Sequence, residues 1–157
     1  CCPGGVNDVL ASRLGLADIE ILNPVGTDAK GRPYGLVRMG EVAEQPLAEF
    51  AAFVKRVLSC PGVRFSDAGK PVRKVAVGGG SSEIGDVIAA GCDTFVTADL
   101  KYNHFEEAKY RGLNLIDAGH FETENPVCDV LEGILREAFP EIPVFRARAH
   151  RDETQFL

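Results

Sequence analysis

From Val72 onward, short apolar runs alternate with longer amphipathic ones, and few architectures accept that rhythm. Residues 74–77, 94–97 and 113–116 are mostly apolar and rich in branched side chains, and each is too short for a stable helix, so each reads as a strand. Between them, 82–90 and 103–111 carry helical spacing. Residues 126–139 add a long amphipathic helix with Val127, Val130, Leu131, Ile134 and Leu135 along one side, and 144–147 read as a last strand. Strands joined by short helical crossovers pair in parallel, with the helices packed on the sheet faces. The fold class expected is therefore α/β.

The front of the chain is less regular. Val6, Val9, Leu10 and Leu14 fall at helical spacing within 6–16, with Gly15 as the stop. A short strand is expected over 19–22, a loop over 23–33 where Gly, Pro, Asp and Asn concentrate, and a strand over 34–42. Pro46 opens a helix that aligns Leu47, Phe50, Val54, Val57 and Leu58 on one face. No repeat, low-complexity tract or linker interrupts the pattern, so residues 1–157 are expected to form one α/β domain. The tail from His150 is polar and is expected to be mobile or to dock on a neighbour.

Charge and cysteine usage exclude some functions. The formal net charge of -6 argues against a broad electrostatic grip on nucleic acid or on an anionic membrane. A single nucleotide or phosphate remains compatible, because it needs only a few local donors. The five cysteines are odd in number and form no CxxC pair, which disfavours a zinc knuckle. Cys92 and Cys128 sit among apolar neighbours and read as small buried hydrophobes, and His150 as a solvated residue. All the cysteines are expected to be reduced thiols in a cytoplasmic protein, since there is neither a signal peptide nor an apolar run of membrane-spanning length. The chain opens Cys-Cys-Pro-Gly-Gly and its only methionine is Met39, so it is expected to be processed, trimmed or incomplete at the front.

In an open parallel sheet, ligands collect beyond the carboxyl ends of the strands. Polar residues here are scarce inside the strands and concentrated just past them, in three groups. The first is Gly78-Gly79-Gly80-Ser81-Ser82-Glu83, where backbone N–H groups at Gly79, Gly80 and Ser81 could approach an anion before a helix begins. A tight turn without a ligand is an equal reading, as is backbone kept clear of a neighbouring metal. The second, Asp99 to His104, offers Lys101 and His104 as phosphate contacts or acid/base groups, with Asp99 as a plain helix cap in the alternative. The third is the sharpest. His120 and Glu124 stand four residues apart and can share one face of a helical turn, a donor pair suited to zinc, manganese or iron. Asp117 is close enough in sequence to orient His120 as an acceptor. The plain alternative is a capped helix start with Glu124 near the positive end of the helix dipole.

Taken in order, Gly4-Gly5-Val6-Asn7-Asp8, Gly35 to Gly40, Val75 to Ser81, Thr97 to Tyr102 and Asn114 to Glu124 resemble the C-terminal part of the dinuclear-metal-centre hexameric family. Its bacterial members carry the name GTP cyclohydrolase 1 type 2 homolog. The resemblance implies a layered α/β/α architecture of the NGG-interacting-factor type, with a largely parallel or mixed central sheet. It also implies a homo-oligomeric, hexameric ring and two divalent metal ions (Zn, Mn or Fe) per full-length subunit. The ligands it implies are a His-His pair and an Asp in the N-terminal part, plus a His and a Glu that fall on His120 and Glu124. The His-His pair has no counterpart here, and the Asp would precede Cys1, so this chain is expected to hold an incomplete ligand set as the C-terminal part of a longer family-type chain. The function expected is metal-dependent hydrolysis of a nucleotide or phosphate compound, with a non-catalytic metal-binding assembly as the alternative.

Overall fold

The computed structural model describes residues 2–157, so the reading of Cys1 lies outside the described residues. The parallel core is three strands, β6 (Val72–Ser81), β7 (Thr94–Ala98) and β8 (Asn114–Asp117), connected through helices α3 (Gly85–Ala89) and α4 (Tyr102–Tyr110). Side chains alternate across these strands. Val75, Val77, Val96 and Ile116 face one side, and Ala76, Phe95 and Leu115 face the other. The first side packs under α1 (Val6–Arg13) and α2 (Leu47–Leu58), the second under α3 and α4. Both faces are covered, which is why the strands read as largely apolar runs.

Antiparallel strands extend the sheet on both sides. β4 (Val37–Gln45) pairs with β6, and β1 (Ala17–Leu22) pairs with β4. On the far side β5 (Arg64–Ser66) pairs with β8, giving the order β1-β4-β6-β7-β8-β5. The sheet is thus mixed, parallel only at its centre. A small hairpin, β2 (Gly26–Thr27) with β3 (Pro33–Tyr34), occupies the expected loop. Two helices follow β8, the short α5 (His120–Glu124) and the longer α6 (Val127–Ala138).

Three expectations change. β6 runs on through the glycines to Ser81, so Gly78-Gly79-Gly80 is strand with a register irregularity, and α3 starts only at Gly85. The expected strand over 144–147 is absent: this segment lies along α6, where Arg136 donates to the Val144 carbonyl, and it has no strand beside it to complete a ladder. Cys128 is only half-buried, whereas Cys92 is buried.

Two motifs near the front are structural. Asn7 accepts from the Gly79 N–H at 2.7 Å and donates to the Leu36 carbonyl, while Asp8 pairs with Arg38, which also donates to the Gly35 carbonyl at 2.8 Å. Arg38 is 2% exposed, so its charge depends on these partners. Together they fasten α1 to the β4–β6 pair.

Candidate metal half-site at the strand ends

β6, β7 and β8 end side by side, and their carboxyl ends deliver Gly80, Asp99 and the start of α5 to one place. In α5, one turn of helix sets His120 and Glu124 on the same face. His120 Nε2 lies 3.4 Å from Glu124 Oε2, and both side chains are about half exposed. Gly80 explains the space in front of them. A Cβ at Gly80 would stand 2.8 Å from Glu124 Oε1 and 3.1 Å from His120 Nε2, and its φ of +63° is one that glycine adopts at little cost.

The other nitrogen of His120 is taken. Nδ1 lies 2.7 Å from Asp99 Oδ2, so the orienting contact expected of Asp117 belongs to Asp99. Asp117 is buried and turned toward β5, where it pairs with Arg64 and accepts from the Leu100 N–H at 3.2 Å. The Asp99 hydrogen bond is the main cause that raises the His120 pKa above its ordinary value, with Glu124 adding to it.

The remaining candidates separate. The amides of Gly79 and Gly80 donate to Asn7 and Thr123, so both are engaged within the protein, and Ser81 is exposed at the end of β6. Lys101 is the residue before α4, and its N–H donates to His104 Nδ1 at 3.3 Å. That pair closes the start of α4, the role the alternative reading gave to Asp99.

Beside His120 is a cavity of about 220 Å³ walled by Arg64, Asp99, Asp117, Asp152 and Phe156. The tail therefore docks. The His150 ring packs on Phe121 with centroids 5.2 Å apart, and its Nε2 lies 2.9 Å from Asn125 Oδ1, so it is not simply solvated. Glu122, unremarked in the sequence, is buried beneath this strap. Burial, and then Asp152, push its pKa up. Cys60 is buried next to the same turn and its Sγ donates to the Ala118 carbonyl; burial pushes its thiol up to about 12, so it stays protonated and unreactive. Neither contact had a local signal, because each joins residues far apart in the chain.

The donor chemistry of the His120–Glu124 pair fits a divalent ion, but only in part. Among the described residues, no group of three or more His, Cys, Asp or Glu is arranged to hold a metal. Among the described residues, no helix is long and apolar enough to cross a membrane.

A family model described as Duf34/NIF3 (NGG1p interacting factor 3) matches residues 1–153. A protein of Nostoc sp. named GTP cyclohydrolase 1 type 2 homolog is 38% identical over 137 residues, covering 84% of this chain and 51% of the relative. A Streptomyces coelicolor protein of the same name is 40% identical over 134 residues, covering 80% and 46%. Among solved structures, a hypothetical protein of Staphylococcus aureus superposes with a TM-score of 0.86 at 30% identity, covering 99% of this chain and 65% of that one. The chain spans about half the length of the curated relatives it matches.

Proposed function

The chain belongs to the Duf34/NIF3 (NGG1p interacting factor 3) family, and from that premise we propose that it binds a divalent metal ion through His120 and Glu124 as part of a metal-dependent hydrolase acting on a nucleotide or phosphate compound. One observation carries the reading: an imidazole nitrogen and a carboxylate oxygen stand 3.4 Å apart at the strand ends, in front of a glycine that leaves the space open. Nitrogen with oxygen donors suits zinc, manganese or iron. A tight site needs about four ligands, so the remainder belongs to groups beyond those described here. The relatives are longer and have room for them. Two ions per full-length subunit and a hexameric ring are part of this proposal, as the resemblance implies.

When bound, such an ion supplies Lewis acidity and lowers the pKa of a water molecule. This chain's own residues hold and orient. His120 and Glu124 present their donors, Gly80 keeps the approach open, and Arg64, held by Asp117 and the Leu100 carbonyl, stands at the cavity wall beside them. The substrate class follows the name the relatives carry, GTP cyclohydrolase 1 type 2 homolog.

The test is zinc titration against a competing chelator, with metal content read by elemental analysis, on the full-length protein and on its His120→Ala variant. Loss of the bound metal in the variant is expected, and unchanged stoichiometry would remove the ligand assignment. A second reading, a non-catalytic metal-binding assembly, is favoured by the exposed apolar face of α6, a surface open to association. Turnover of any member of a nucleotide panel, abolished by His120→Ala, would eliminate it.

A further inference from the structure

The geometry points to Asp99 as a positioning residue that fixes which nitrogen of His120 faces the metal position. This rests on the ligand reading of His120 and goes beyond it. Asp99 and His120 are 21 residues apart in sequence, and the parallel register that pairs Thr97 with Asp117 brings them together at the strand ends. At 2.7 Å, Asp99 Oδ2 is at hydrogen-bonding distance from Nδ1. A neutral imidazole that donates from Nδ1 leaves its lone pair on Nε2, the nitrogen facing Glu124 and the space in front of Gly80. Free histidine side chains do not hold this tautomer by themselves. A carboxylate on the far nitrogen holds it, orients the ring and makes the opposite nitrogen a better donor.

The backbone gives a second, independent argument. Asp99 has φ +57°, in the left-handed region where glycine sits at lower cost. A loop that needed only the turn would be served better by glycine. Asp99 also does not cap α4, whose preceding residue is Lys101. Its carboxylate is thus accounted for by His120 and not by the local fold.

This separates function from folding in one variant. Asp99→Gly removes the carboxylate while suiting the backbone. Two readouts are needed on the full chain. The first is the His120 tautomer in the metal-free protein, read from long-range nitrogen–proton NMR spectra at a pH where the ring is neutral. The second is zinc affinity by chelator competition. The wild-type ring is expected to carry its proton on Nδ1. Asp99→Gly is expected to shift the proton toward Nε2 and to weaken zinc by about 10–100-fold, with a melting temperature no lower than wild type. Asp99→Asn, which keeps an acceptor oxygen, is expected to retain the tautomer and to recover part of the affinity. An unchanged tautomer in Asp99→Gly overturns the proposal, whatever the affinity does. Unchanged affinity with a shifted tautomer also overturns it if His120→Ala abolishes binding. If His120→Ala binds zinc as tightly as wild type, the ligand reading itself fails, and the tautomer spectra still report on the Asp99 contact alone.

Discussion

β7 and β8 bury every residue they contain, whereas α6, twelve residues long and strongly amphipathic, buries none. Val130, Leu131, Ile134 and Leu135 are 36–55% exposed along one stripe of α6. Helix α6 is tied down through its polar side instead: Asp129 pairs with Arg13 of α1 and with Arg146 of the following segment, and Glu132 also reaches Arg146. The two regions follow the same sequence rule, apolar residues at the period of the element, and arrive at opposite outcomes. Periodicity specifies an element and the face it wants covered; it does not supply the cover. In the sheet the cover comes from α1 to α4 of this chain. For the stripe on α6, none of the described residues provides it.

The largest expected effect tests that contrast directly. Phe95 is fully buried between the sheet and its outer helices, so Phe95→Ala should cost about 3–5 kcal/mol in denaturant unfolding. Leu131→Ala, on the stripe, should stay within about 0.5 kcal/mol. A Leu131→Ala cost near that of Phe95→Ala would mean the stripe is covered in solution, and the comparison would fail.

Glycines sharpen it next, with opposite signs. Gly80→Ala forces a Cβ to 2.8 Å from Glu124 Oε1 at a φ of +63°. It should destabilise by about 1–2 kcal/mol from the backbone alone, and it should abolish zinc binding while the fold persists. Gly133, within α6, would meet nothing within 4 Å, so Gly133→Ala should stabilise by about 0.5–1 kcal/mol. Thermal melts of the two variants side by side decide the signs. A destabilised Gly133→Ala would show the α6 surface to be closely packed against something.

The same contrast explains what could be read in the sequence. The β6–β8 core was legible because doubly covered parallel strands leave a plain apolar signature. The helical turn carrying His120 and Glu124 was legible because both residues sit within one local period. Strand β5 was not: Arg64–Ser66 is short and mostly exposed, and it exists because the edge of β8 offers it a ladder. Residues 144–147 have the better strand pattern and lack such an edge. The pairing of Asp99 with His120, and that of Asp8 with the buried Arg38, depend on contacts that no local window contains. Asp117 was the natural choice to orient His120 by distance along the chain, but β5 had a claim on it through Arg64.

The smallest effect concerns how α6 is held. Hydrogen bonding from Arg146, followed by the nearby guanidinium charges, lowers the Asp129 pKa below its ordinary 3.8. A carboxyl with a lowered folded pKa contributes stability that is complete above the unfolded value and is lost as pH falls through the folded one. Acidification below about pH 4 should therefore loosen α6 from Arg13 and Arg146, while β7 and β8, held by apolar burial, keep their protection. Both arginines are substantially exposed, so salt should blunt the effect. Amide hydrogen exchange along the chain, measured across that range at low and high salt, is the measurement. Asp129→Asn should make α6 exchange faster at neutral pH and flatten its acid response. If α6 protection stays level in the wild type as the carboxylate protonates, its polar side is not what holds it, and the stripe must already have a partner.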